Sequence, residues 1–131
     1  MIIESSSPLR IGLMGSGTDV GEYCDKYGGL VINMAINIRQ QLLIGDEEAL
    51  IVSNENKFIK DICTELGLNL AVHQIEMDSF IGSGLGSSAA LVVSLVGAYN
   101  KFYNKNMAQM EIADKAWEIE IKLGMYCVKQ D

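Results

Sequence analysis

The segment Ile81-Gly82-Ser83-Gly84-Leu85-Gly86-Ser87-Ser88-Ala89-Ala90 carries the strongest chemical signal in the chain. Three glycines at alternate positions remove Cβ atoms where a backbone must turn sharply or approach a ligand closely. Two serines follow, and a run of small and apolar residues then reads as a helix. At such a junction backbone N–H groups and the positive end of a helix dipole face one place, which suits an anion. A serine hydroxyl at the rim can also ligate a magnesium ion beside a phosphate. The spacing is not that of the Walker A loop, which needs Gly-Lys-Ser/Thr, nor of a GxGxxG dinucleotide fingerprint. On composition alone, a serine-capped surface loop stands as an equal alternative.

A second glycine-rich stretch, Gly15-Ser16-Gly17-Thr18-Asp19, follows a strand-like segment that contains Arg10. For Arg10, an ion pair with a nearby acid on an exposed strand stands as the minor alternative. Glu118 and Glu120 read as the solvated face of a helix. His73 lies between Val72 and Gln74 in a strand pattern and reads as structural. Trp117 and Tyr103 occupy core-like helical positions and receive no ligand role. Cys24, Cys63 and Cys127 are odd in number and lack CxxC spacing. They fit reduced thiols rather than a disulfide framework or a zinc site.

The elements that would position these residues follow from periodicity. Residues 2–13 alternate as a strand, with Pro8 marking an edge or a bulge. Thr18 or Asp19 is expected to cap a short helix that ends at Gly28-Gly29. Residues 30–38 read as an apolar strand, and 42–44 and 50–52 as two short strands about a turn at 45–48. Phe58, Ile59, Ile62, Cys63 and Leu66 set a helical period from Glu55, with Gly67 as its C-cap. Leu68, Leu70 and Val72 alternate as another strand. Two further helices are expected over 87–103 and 107–123. This order predicts an α+β fold in which a mixed β-sheet packs with helices.

The chain has 131 residues, 49% of them hydrophobic, and a net charge of −7. That is enough for one domain with a core and too apolar for intrinsic disorder. The acidic balance argues against nucleic acid and against anionic membrane surfaces. The best apolar run, residues 89–98, falls well short of the roughly 20 residues of a spanning helix. Met1-Ile2-Ile3-Glu4 does not open like a signal peptide. A cytoplasmic location is expected.

At this point the chain resembles a known family. Gly82-Ser83-Gly84-Leu85-Gly86-Ser87-Ser88-Ala89 is similar to the phosphate-binding motif of the GHMP kinases (galactokinase, homoserine kinase, mevalonate kinase, phosphomevalonate kinase), P-x-x-x-G-L-[GA]-S-S-[SA]. Pro8-Leu9-Arg10-Ile11-Gly12-Leu13-Met14-Gly15-Ser16-Gly17-Thr18-Asp19 resembles that family's N-terminal motif, in the form P-L-R-[LI]-x-x-A-G-G-G-[TS]-D. That form belongs to the sugar-phosphate branch that includes D-glycero-D-manno-heptose 7-phosphate kinases. Tyr27-Gly28-Gly29-Leu30-Val31-Ile32-Asn33 and Lys129-Gln130-Asp131 also resemble the branch. There are departures. Ser16 and Met14 stand where the motif has glycine and alanine, and Phe80 and Ile81 where it has prolines. The region 41–54 is short, Tyr126-Cys127-Val128 replaces a small glycine-containing turn, and the chain stops at Asp131.

The resemblance implies a single N-terminal, ATP-binding domain over residues 1–131, with the family's second, C-terminal domain absent. It implies phosphoryl transfer from ATP to a hydroxyl of a small-molecule sugar or sugar phosphate. Gly82, Ser83, Gly84, Leu85, Gly86, Ser87 and Ser88 would hold the nucleotide phosphates, and Ser88 with Glu120 would hold Mg2+. Gly17, Thr18 and Asp19 would meet the sugar. Arg10 and Asp131 would flank the acceptor hydroxyl as catalytic groups. Neither nucleic acid nor membrane is an expected partner, and a homo-oligomer through the surface left by the missing domain is. The rival reading is a catalytically inactive nucleotide- or phosphate-binding remnant, or a module that acts through a partner.

Overall fold

Two long strands and one central helix set the frame that positions both glycine loops. The computed structural model describes residues 1–46, 57–68, 71–75 and 84–124. In chain order the elements are β1 (Ile2–Met14), α1 (Gly21–Tyr27), β2 (Ile32–Gly45), α2 (Lys57–Leu66), β3 (Ala71–Ile75), α3 (Ser87–Phe102) and α4 (Gln109–Lys122). Among the described residues the sheet has the order β1-β2-β3, with both pairings antiparallel. The fold is α+β, as expected.

The two halves of the β1–β2 hairpin differ in what covers them. Ile3 of β1 and Leu42 and Ile44 of β2 are buried, and Val72 of β3 extends the same face. That face packs on α3, which buries Leu91, Val92, Leu95 and Val96. A helix that is apolar on nearly every side belongs at the centre of a domain. Here α3 touches the sheet on one side and α2 and α4 on the other. Its contact with β1 is close and polar. Ser94 Oγ donates to Ser7 Oγ at 2.9 Å, and Ser5 Oγ donates to the Ser94 carbonyl at 2.8 Å. Gly97 also faces Ser5, where an added Cβ would lie 3.5 Å from the hydroxyl.

The helices follow their period. α2 buries Ile59, Ile62 and Leu66, and Gly67 at φ +66° ends it. Asn104 and Asn106 take positive φ in the turn between α3 and α4, a conformation asparagine tolerates better than most residues. Asn100 Oδ1 braces that turn by accepting from the Met107 N–H at 2.9 Å. Tyr103, expected in the core, is instead exposed. It is the residue that closes α3, and its ring lies over Tyr99 with a centroid separation of 5.2 Å.

β2 is one strand of 14 residues where two were expected. The polar triplet Arg39-Gln40-Gln41 does not break it, and the Arg39 and Gln40 side chains are bonded in place. Arg39 Nε donates to Ser6 Oγ on β1 at 3.0 Å, and buried Gln40 turns its amide to the Gln41 carbonyl at 3.5 Å. Residues 50–52 lie outside the described residues. Among the described residues Pro8 does sit on an edge strand, and the register shifts between Pro8 and Arg10.

Candidate functional site: two glycine loops joined at Arg10

The phosphate-type loop enters α3 through two left-handed glycines. Gly84 has φ +79°, and Gly86, the N-cap of α3, has φ +76° and ψ 29°. No side chain caps the helix, so neither Ser87 nor Ser88 acts as the N-cap. Intrahelical bonding begins with the Ala90 N–H, which donates to the Gly86 carbonyl at 3.0 Å. The N–H groups of residues 87–89 therefore have no carbonyl one turn back within the helix. An added Cβ at Gly84 would meet nothing within 4 Å, so the space beside the loop is open. Ser88 is exposed on the first turn. Gly82 and Ser83 lie outside the described residues.

The loop is docked on β1. The Arg10 main-chain N–H donates to the Leu85 carbonyl at 3.0 Å, and Arg10 Nη1 donates to the Gly84 carbonyl at 2.8 Å. Arg10 and the loop, which the family resemblance implies on the acceptor and donor sides, thus touch directly.

The N-terminal loop is a braced turn. Gly15 has φ +82°, and a Cβ there would fall 2.0 Å from the Leu30 carbonyl oxygen. A Cβ on Gly29 would fall 2.4 Å from the Thr18 carbonyl oxygen. Both positions require glycine. Ser16 does not take positive φ, so the side chain standing at the motif's glycine position is tolerated. Thr18 Oγ1 donates to the Gly15 carbonyl at 2.8 Å and accepts from the Leu30 N–H at 3.2 Å. Asp19, only 6% exposed, accepts from the Gly17 N–H at 3.3 Å. These bonds correct one expectation. Neither side chain caps α1, which starts at Gly21 with Val20 as N-cap and no side-chain bond.

The two glutamates on α4 part company. Glu118 is exposed and lies 3.8 Å from Lys115, as a solvated face predicts. Glu120 is 5% exposed. The short α3–α4 connection folds the chain back into a helical hairpin. One carboxylate and one hydroxyl are hard oxygen donors of the type that suits a magnesium ion beside phosphate. Among the described residues no group of three His, Cys, Asp or Glu side chains forms a metal cluster. Asp131 lies outside the described residues, as do the side chain of His73 and Cys127. Cys24 and Cys63 are free thiols, and burial pushes the Cys63 pKa up to about 11. No helix among the described residues is long and apolar enough to cross a membrane.

The fold is an α+β domain with a glycine-serine loop at the start of its central helix. The sequence profile of the GHMP kinases N terminal domain matches residues 52–127, and the chain belongs to that family. It is 33% identical to a D-glycero-alpha-D-manno-heptose 7-phosphate kinase of Campylobacter jejuni, over 98% of this chain and 46% of the relative. That alignment runs over 159 positions, more than the chain's 131 residues, so it carries gaps in this chain opposite residues of the relative. A mevalonate kinase of Methanothermobacter thermautotrophicus is 42% identical over 48 residues, 37% of this chain and 16% of the relative. In solved structures, a D-glycero-D-manno-heptose 1-phosphate kinase from Bacteriodes thetaiotaomicron superposes with a TM-score of 0.76 at 26% identity. It covers all of this chain and 52% of its own. The chain spans about half the length of these heptose-phosphate relatives.

Proposed function

We propose that this chain carries the nucleotide-binding half of an ATP-dependent kinase acting on a hydroxyl of a sugar or sugar phosphate, of the heptose-phosphate type. The observation that carries the reading is the loop of residues 84–88, entering α3 through two positive-φ glycines and docked on the strand that leads to the second loop. Its donor set fits a nucleotide phosphate. Backbone N–H groups at a helix start bind the charge, and no Cβ at Gly84 closes the approach. Phosphoryl transfer depends on alignment and charge neutralisation, so the work of this half is to hold the donor.

In this reading the N–H groups of residues 84–88 hold the phosphates, with Gly82 and Ser83 completing the loop. Ser88 and the buried Glu120 hold Mg2+, which when bound neutralises charge on the phosphate oxygens. The first loop, with Gly17, Thr18 and Asp19, shapes the sugar side, and Arg10 and Asp131 flank the acceptor hydroxyl. The heptose-phosphate relatives support a sugar phosphate as acceptor. The free Cys24 and Cys63 thiols are compatible with a reducing cytoplasm.

Calorimetric titration with Mg-ATP, followed by a coupled ADP-release assay over a panel of sugars and sugar phosphates, tests the proposal. Binding of Mg-ATP that weakens in Ser88→Ala more with magnesium than without it is the expected result. Absence of binding at millimolar nucleotide overturns it. Nucleotide binding without turnover, alone or beside a supplied second domain, identifies the binding-only module instead. The exposed apolar arm of the hairpin (Leu13, Met14, Ile32 and Met34) supports self-association of the chain. Sedimentation at tens of micromolar checks it, and a monodisperse monomer sinks it.

A further inference from the structure

Arg10 makes two contacts with two consecutive loop carbonyls, one from its side chain and one from its main chain. In a trans peptide the C=O and the following N–H point in opposite directions. Holding the Gly84 carbonyl towards Arg10 turns the Leu85 N–H away from it, and holding the Leu85 carbonyl does the same to the Gly86 N–H. The backbone allows this because φ alternates in sign, positive at Gly84 and Gly86 and not at Leu85 between them. Such alternation brings successive N–H groups into one anion-binding concavity. Those two donors then add to the N–H groups that open α3.

We infer that Arg10 is a positioning residue of the donor site: its guanidinium holds the Gly84 carbonyl and its main-chain N–H the Leu85 carbonyl, so that the Leu85 and Gly86 N–H groups face the nucleotide phosphates. This deepens the function proposed above and rests on it for the identity of the ligand. The architecture explains why one residue can do this. The register shift between Pro8 and Arg10 leaves the extra residues on β2, so β1 runs straight through Arg10 and presents its outward N–H to the loop. An arginine that served only the transferred phosphoryl group would have no reason to bond a loop carbonyl 74 positions away.

Two measurements on Arg10→Ala and Arg10→Lys test the inference. The first needs no ligand: amide hydrogen exchange by NMR, read at residue 10, whose N–H bonds the Leu85 carbonyl. Loss of the guanidinium should speed that exchange at least about tenfold, the loss expected for one charge-assisted hydrogen bond. Val92 and Ile44 amides in the core should be unchanged, which shows that the variant is folded, and Arg10→Lys should recover part of the protection. The second is calorimetry with ADP and with Mg-ATP. Arg10→Ala should weaken both by a similar factor, at least about tenfold, because both ligands use the loop. Unchanged exchange at residue 10 overturns the inference, and so does a loss confined to ATP. Faster exchange in a protein whose wild type binds neither nucleotide upholds the hold on the loop and overturns the proposed function. If Arg10→Ala does not fold, Arg10→Lys alone decides, since it keeps the charge but offers a different donor geometry.

Discussion

The two ends of the β1–β2 hairpin share strands, pairing and an apolar composition, yet one end is core and the other is not. Near residues 3–9 and 40–45 the hairpin lies on α3 and buries Leu9, Leu42 and Ile44 completely. Beyond Arg10 the same strands leave Leu13 57% exposed and Met34 51% exposed. What separates them is the register shift at Pro8/Arg10 and the docking of the phosphate-type loop there. Hydrophobic sequence therefore marks two different things in one hairpin: packing in the first half, and a surface beside the candidate site in the second.

Truncating one side chain from each end of β2 gives the sharpest contrast. Leu42→Ala should lower unfolding free energy by about 2–5 kcal/mol in urea titration, as buried leucines do. Met34→Ala should stay within about 0.5 kcal/mol, like other exposed positions. Equal losses would erase the distinction.

Gly15→Ala should have the next largest effect and should act locally. The new Cβ meets the Leu30 carbonyl in a backbone that L residues resist, at about 1–3 kcal/mol. Amide exchange should speed in residues 15–30 and not in α3. Ser94→Ala tests the polar seam between the two elements. It leaves buried Ser7 without the hydroxyl that donates to it, a loss of about 1–2 kcal/mol. The double variant with Ser7→Ala should lose less than the sum of the two single changes, as coupled partners do.

The smallest effect concerns thiols. Burial holds the Cys63 pKa at about 11, so its thiolate is scarce at pH 8. Alkylation there, resolved by peptide mass, should be at least about tenfold slower in the native protein than in urea. The sign for stability follows. The folded value lies above the ordinary 9.0, so this contribution is complete below pH 9 and is lost as pH rises through the folded value.

The parts that the sequence made legible are those written in local signals. Glycines marked both loops, the period of Ile59, Ile62 and Leu66 marked α2, and Pro8 marked an edge with a register shift. What stayed hidden depends on partners far away in the chain. The continuity of β2 through Arg39-Gln40-Gln41 rests on Ser6, 33 positions earlier. The burial of Glu120 beside the exposure of Glu118 is set by where α4 packs, since both belong to one helical turn. Arg10 reaching Gly84 leaves no trace in periodicity or composition. The loops were readable, and the bond that joins them was not.

That bond also bears on whether the edge of the sheet can recruit a strand from another molecule. In the described sheet β1 is an edge strand of 13 residues, long enough to recruit a strand from another molecule. Along its outer rim, alternate residues direct their amides away from β2. Arg10 is one of these, and its N–H is already engaged by Leu85. Pro8, two positions earlier on the same rim, has no N–H to offer. Two consecutive rungs are thereby removed from the middle of the ladder, which interrupts it as a template for an intermolecular sheet. Loosening the loop would therefore uncover a rung for aggregation as well as weaken a phosphate site.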